Sequence, residues 1–149
     1  MANDSRRSRI AVIVMAISAI ALATALTMAI HVSSAEHVRH LDSTDPDTVA
    51  YSLVILKDRH DPAGIDRAEK LLKSDNPMIW INAAIYLGAM GKTEAEPYLI
   101  KALPQANLDQ GIQVVQELTQ LTHQPFGNDV KGWQTWWNQK QTTMPTTHP

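Results

Sequence analysis

The sequence predicts an all-α protein, a short α-solenoid of about three helix pairs preceded by one N-terminal transmembrane helix. Two observations predict this fold. An uncharged apolar segment lies near the N-terminus, and the rest of the chain repeats every thirty-one residues, which is typical of repeat architectures. With 149 residues, 44% of them hydrophobic and 19% charged, the chain has the composition of one globular domain.

Residues 10–30 are the uncharged segment, and a helix of that length spans the roughly 30 Å hydrocarbon core of a bilayer. Three arginines in the basic tail, residues 1–9, predict that this tail is cytoplasmic and that the remainder is exported. The expected location is a bacterial inner membrane, single-pass, with the C-terminal domain in the periplasm. A signal peptide cleaved after Ser33-Ser34-Ala35 is the alternative. The apolar length favours an uncleaved anchor, because signal-peptide cores have about 7–15 residues.

The charge balance after the basic tail is acidic. The remaining 10 basic and 14 acidic residues give a formal charge of −4. Nucleic acid is therefore an unsuitable partner, because phosphate binding needs clustered Lys and Arg. The chain has no cysteine, which excludes disulfides, thiolate metal sites and cysteine nucleophiles.

A juxtamembrane linker at 31–44 leads into three predicted repeat units, 45–75, 76–106 and 107–140, and a disordered polar tail at 141–149. Positions thirty-one residues apart carry similar residues in three apolar series: Ala50, Ile81 and Ile112; Leu53, Ala84 and Val115; Leu56, Leu87 and Leu118. Each unit is predicted to contain two helices, so that neighbouring units can bury a shared core.

Capping residues mark where the first helices of the units start. Asp45, Asn76 and Asn107 have side-chain oxygens that can accept from unpaired backbone N–H groups. Pro46 and Pro77 follow at the first helical position, where proline has no hydrogen bond to lose. These helices should end near residues 57, 90 and 122.

The middle first helix is apolar from Ile79 to Leu87 apart from Asn82, so we expect it to be buried between its neighbours. The third first helix should face the core with an apolar stripe and expose its glutamines to solvent. The stripe is Leu108, Ile112, Val115, Leu118 and Leu121, and the glutamines are Gln110, Gln113, Gln116 and Gln120.

The second helices are shorter. Asp61-Pro62 opens the first of them, and Asn128-Asp129 opens the last. Thr93 followed by Glu96 three residues later predicts a capping box at the start of the second.

Residues 87–103, LGAMGKTEAEPYLIKAL, resemble a HEAT-type repeat of the bacterial kind, whose pattern runs Leu-Gly, Gly, Ala, Pro, Leu and Ala-Leu. The match is weaker over 45–75, and an insertion around 123–127 alters the second half of 107–140. The ending Phe126-Gly127-Asn128-Asp129 with its following tryptophans is similar to that of exported bacterial HEAT-like proteins. The resemblance implies a curved stack of helix pairs that binds other proteins.

Two surfaces are candidates for partner binding. In HEAT-type stacks the second helices line the concave face, and the repeat register places Arg67 beside Tyr98 and Lys70 beside Lys101. We name these four residues the basic ridge. Trp133, Trp136 and Trp137 form the tryptophan end, which is predicted to close the last repeat because a stack must cap its apolar end, or else to be an aromatic partner-binding patch.

Neither a nucleotide site nor an active site is predicted. Gly91-Lys92-Thr93 lacks the preceding glycine of a phosphate loop, since Tyr86 stands there, and it follows a helix instead of a strand. His31, His37 and His40 cluster beside the predicted anchor, but two histidines on one helix face make a weak metal site, so no metal or cofactor is expected.

The predicted function is a membrane-tethered protein–protein interaction scaffold or an accessory subunit of a membrane complex, and not an enzyme. Its partner would be another protein, itself membrane-associated. One alternative is an exported metal or ligand carrier built on the juxtamembrane histidines. The other is an enzyme, because some HEAT-like proteins resemble chromophore lyases.

Overall fold

The computed structural model describes residues 13–24 and 34–143, and in these residues the protein is all-helical, as predicted. The predicted basic tail 1–9, both ends of the predicted anchor, His31 and residues 144–149 lie outside the described residues. The chain divides into two compact units, Met1–Glu36 and His37–Pro149, each described by itself.

In the first unit, residues 13–24 form a helix whose large apolar side chains are exposed. The Ser18 and Thr24 hydroxyls donate to the carbonyls of Val14 and Ala21, each at 2.9 Å, which satisfies them within the helix itself. Within the described ranges, no helix combines the length and the apolar character that crossing a bilayer requires.

In the second unit, residues up to 40 are helical, and six longer helices follow. They are α1 (Pro46–Asp58), α2 (Ile65–Leu71), α3 (Pro77–Ala89), α4 (Glu96–Ala102), α5 (Leu108–Thr122) and α6 (Val130–Thr143). Single 3₁₀ turns, Pro62–Gly64 and Thr93–Ala95, lead into α2 and α4.

The predicted caps of the first helices are confirmed. Asp45 accepts from the N–H groups of Asp47 and Thr48, and Asn76 accepts from that of Met78. Asn107 forms a complete capping box with Gln110.

The capping box predicted for Thr93 and Glu96 is wrong. Lys92 holds the cap position with no side-chain bond, and the Glu96 carboxylate is buried against Lys140 on α6. Because the Glu96 side chain pairs with Lys140, it does not bond to the backbone at the start of its own helix. The tail prediction is wrong over 141–143, because α6 continues to Thr143.

The helices pack in a regular order around α3. The first helices contact one another in chain order, α1 against α3 and α3 against α5. The helix α2 packs on α3, while α4 packs on α3, α5 and α6. As predicted, α3 is the core of the unit, with Trp80, Ile81 and Ala83 through Gly88 buried.

The apolar stripe predicted for α5 is confirmed at Leu118 and Leu121, which pack in or against the core, and wrong at its N-terminal end. The core-facing residues are Val114, Glu117 and Leu118, whereas Leu108 and Ile112 are 82% and 61% exposed. Glu117 and Leu118 follow Val114 by three and four residues, so all three lie on the side of α5 that meets α3 and α4. One flank of the stripe therefore faces solvent and a glutamate faces inward.

Candidate functional site

The basic ridge residues lie on α2 and α4, but two of them contact other parts of the chain. Arg67 Nε donates to Asp42 Oδ2 at 2.9 Å, and Lys101 Nζ lies 4.8 Å from the centre of the Trp80 ring. Lys70 is exposed and Tyr98 is half-buried. No hydrogen bond or ion pair in the described chain joins one of the four to another, so the ridge stays a prediction, with Lys70 and Lys101 both exposed.

The tryptophan end is largely structural. Trp133 is wholly buried and packs edge-on against Phe126, with 5.1 Å between ring centres, and its Nε1–H donates to the Gly127 carbonyl at 2.9 Å. Trp133 is thus unable to contact a partner, and its assignment as a partner-binding residue is wrong. Trp136 and Trp137 are half-buried beneath the Lys140 ammonium group, 4.9 and 5.5 Å from their ring centres.

The described histidines of the predicted linker, His37 and His40, lie close to aromatic rings. The His37 ring lies 6.1 Å from the rings of both His40 and Tyr51. In residues 13–24 and 34–143, no group of three or more His, Cys, Asp or Glu side chains is arranged to hold a metal ion.

A polar cavity of about 340 Å³ lies where the C-terminal ends of α1 and α3 meet the middle of α5. We name it the Glu117 cavity. It is lined by Lys57, Asp58, His60, Ala89, Gln113, Gln116, Glu117 and Gln120. Three of the glutamines predicted to be a plain solvated face therefore line a cavity.

Glu117 is the unusual group of this cavity. It is only 5% exposed, and its Oε2 atom has no hydrogen-bond partner. Burial raises the pKa of the Glu117 carboxyl, because desolvation penalises the charged form, and the neighbouring Lys57 and His60 lower the pKa by less. A buried ionisable group with a perturbed pKa that lines a cavity is a candidate functional group.

The local sequence explains how Glu117 comes to lie inside. It stands three residues after Val114 and next to Leu118, both fully buried on the same face of α5. Gly88 on α3 leaves the space: a Cβ atom at that position would lie 2.9 Å from the Glu117 Cβ. The close approach of α3 and α5 therefore depends on this glycine.

A turn at His60 and one side-chain hydrogen bond between α1 and α5 fix the other walls of the cavity. His60 lies in the turn after α1 and has a left-handed φ of 49°, a conformation that favours glycine. Lys57 Nζ donates to Gln113 Oε1 at 2.6 Å and lies 3.3 Å from Asp58 Oδ1, which ties α1 to α5. The one lysine of the cavity is thus engaged by groups other than Glu117.

Sequence reasoning missed this cavity, although one signal pointed to it. In the thirty-one-residue register Glu117 falls on Ile55 and Tyr86, a position that faces inward on α3. Tyr86 is buried, but its hydroxyl donates to the Asp61 carbonyl and accepts from the Gly64 N–H group. Glu117 has the inward position without such partners.

Glu117→Gln should stabilise the protein at neutral pH by about 1–3 kcal/mol, because the neutral amide removes the cost of burying a charge. Burial raises the folded-state pKa of Glu117 above the ordinary value of 4.5, so the folded protein holds this proton more tightly than the unfolded chain. As the pH rises from about 4.5 through the folded-state pKa, the free energy of unfolding of the wild type should therefore fall relative to that of Glu117→Gln.

Thermal unfolding of both proteins from pH 4 to pH 8 measures this difference. The exposed Glu94→Gln is the matched control, and its melting temperature should track that of the wild type at every pH. A constant offset between Glu117→Gln and the wild type across this range would contradict a raised pKa.

A comparison with protein-family models, with curated proteins and with solved structures finds no match to this chain.

Proposed function

We propose that this chain is a membrane-tethered protein-binding module with a short HEAT-like solenoid. The order of helix contacts supports the solenoid, because α1, α3 and α5 pack in sequence while α2 and α4 pack beside them. In a repeat stack each helix pair contacts its neighbours in this way. The capped helix starts and the thirty-one-residue register agree with that arrangement.

The apolar N-terminal segment supports the membrane tether. Residues 10–30 carry no charge, and the side chains of Ile13, Met15, Ile17 and Leu22 are each more than half exposed. A helix that presents apolar side chains all round needs an apolar environment, which lipid provides. The arginines before the segment favour an exported repeat domain.

The exposure of Ile112 is the observation that carries the binding function. Its equivalents in the first two repeats, Ala50 and Ile81, are buried, whereas Ile112 is 61% exposed. The first helix of the next repeat packs against α1 and against α3. In the described residues no further first helix follows α5, because α6, the next helix in the chain, packs on α4. The same repeat position is therefore uncovered at the end of the series.

The partner that fits this flank is a helix of another membrane-associated protein. Leu108 and Ile112 are four residues apart and so share one face of α5, which we name the open flank. In the earlier repeats the position of Ile112 is buried, so a partner helix that covered it would continue the packing pattern. An amphipathic helix buries such anchors at spacings of three and four residues.

Photo-cross-linking in the native membrane tests this proposal. A photoreactive residue at Leu108 should capture one membrane-associated protein, and the chain should stay in the membrane pellet after an alkaline wash. Ile112→Lys should reduce that cross-link by roughly tenfold or more, because a charge in a desolvated contact is unfavourable. Gln134→Lys, an equal charge change at an exposed site on α6, should leave it unchanged.

Three outcomes count against the proposal. Equal cross-linking by the two lysine variants would mean that the open flank is not the contact. Capture from Lys70 instead of Leu108 would place the partner on the basic ridge. Release of the chain by the alkaline wash would exclude the membrane anchor.

A further inference from the structure

We infer that the Glu117 cavity is a binding site for a guanidinium group. The inference does not rest on the proposed function, because the cavity lies between α1, α3 and α5 and includes neither residue of the open flank. Its starting point is a built feature of the fold, a carboxylate side chain that is 95% buried, lines a cavity and has an oxygen atom without a partner.

The cavity's own cation, Lys57, acts on this carboxylate through its charge but forms no direct bond with it. Lys57 lies against Gln113 and Asp58, and no ion pair joins it to Glu117 in the described residues. A buried carboxylate is strongly disfavoured unless it is paired and hydrogen-bonded. A cationic donor that enters the cavity would supply what the fold leaves out.

The remaining lining groups are rich in acceptors. Gln116 and Gln120 each bring an amide carbonyl, and Asp58 brings a second carboxylate, whereas Gln113 Oε1 already accepts from Lys57. An anionic ligand would be repelled by Glu117, whereas a cation with several N–H groups can be bound by these acceptors at once. A volume of about 340 Å³ suits one small molecule or one inserted side chain.

Guanidinium fits these requirements better than an ammonium group. It carries five N–H donors in a planar fork, no acceptor, and a charge that persists at any physiological pH. It binds a carboxylate through two parallel hydrogen bonds and is less strongly hydrated than ammonium, so it enters a buried site more readily. The ligand is thus an arginine residue of a protein or a small arginine-like molecule.

The test uses the full chain in detergent micelles and four compounds. N-acetyl-L-arginine amide represents an arginine residue within a chain, and L-arginine represents the small molecule. N-acetyl-L-lysine amide replaces the guanidinium with an ammonium group, and N-acetyl-L-citrulline amide keeps the shape without the charge. Titration calorimetry measures affinity, and amide chemical shifts locate the binding site.

At least one arginine compound should bind saturably, and Glu117→Gln should weaken its binding by roughly tenfold or more, since charge-assisted hydrogen bonds are about twice as strong as neutral ones. The exposed Glu94→Gln is the control and should bind as the wild type does. Binding of the capped form indicates an arginine residue as the source, whereas binding of L-arginine alone indicates a small molecule.

Other results would overturn the inference. These are saturable binding by neither arginine compound, equal affinity for the lysine or citrulline compound, or an affinity that Glu117→Gln leaves unchanged. If the arginine compounds changed amide chemical shifts of the wild type only outside the neighbourhood of residues 113–120, the inference would also fail. This result does not depend on whether Glu117→Gln folds.

Discussion

Replacing Ile85 with alanine is expected to destabilise the protein by about 2–5 kcal/mol, as other large-to-small changes in protein cores do. Ile85 lies in the middle of α3 and is 2% exposed, so the truncation removes buried apolar surface and leaves a cavity that the surrounding helices cannot fully close. Total stabilities of small proteins are roughly 5–15 kcal/mol, so this single change could remove much of the margin.

Denaturant unfolding of the full chain in detergent, followed by far-UV circular dichroism, measures the loss. Ile112→Ala is a matched control, because the same atoms are removed from a side chain that is 61% exposed. Its effect should stay within about 0.5 kcal/mol, as for most surface substitutions. Equal effects of the two changes would mean that α3 is not the core of the second compact unit.

The sequence predicted the local features of this fold well, because they depend on neighbouring residues. Asp45, Asn76 and Asn107 cap the first helices, as their short polar side chains and the following residues indicated. Gly91 ends α3 with a φ of 73°, a conformation that glycine adopts without strain. The burial of α3 also followed from sequence, since a helix that is apolar nearly all round has few other solutions.

The rotation of α5 could not be predicted from its apolar pattern alone. Of Leu108, Ile112 and Leu118 in the stripe only Leu118 is buried, while Gly88 leaves room for Glu117 to pack against α3. That close approach is a tertiary contact between residues far apart in the chain. The Glu117 cavity was missed for the same reason, since a glutamate among glutamines is typical of a solvated face.

Glu96 shows how a distant partner overrides a local motif. The spacing of Thr93 and Glu96 fits a capping box, but the Glu96 side chain is buried and binds Lys140 from α6. A capping box contributes about 1 kcal/mol, whereas a buried carboxylate left without a cation is far more unfavourable. Once α6 packs on α4, the ion pair therefore prevails over the cap.

Lys140→Met is accordingly expected to destabilise the protein by about 3–5 kcal/mol, because it leaves the Glu96 charge buried and unpaired. Glu96 is about 1% exposed, and the lysine ammonium group also lies over the rings of Trp136 and Trp137. Methionine replaces the apolar stem of the lysine and lacks only its ammonium group, so the loss should come mainly from the charge.

A double-mutant cycle with Glu96→Gln isolates that charge term. Glu96→Gln alone should cost less than Lys140→Met, because the Lys140 side chain is 26% exposed and its ammonium group can still be hydrated. The double variant should be more stable than Lys140→Met, since neither charge then remains unpaired. Lys131→Met, at an exposed site on α6, is the control and should change the free energy of unfolding by less than about 0.5 kcal/mol. If Lys140→Met behaved like Lys131→Met, or if the effects of the two changes in the cycle simply added, the pair would not join α4 to α6.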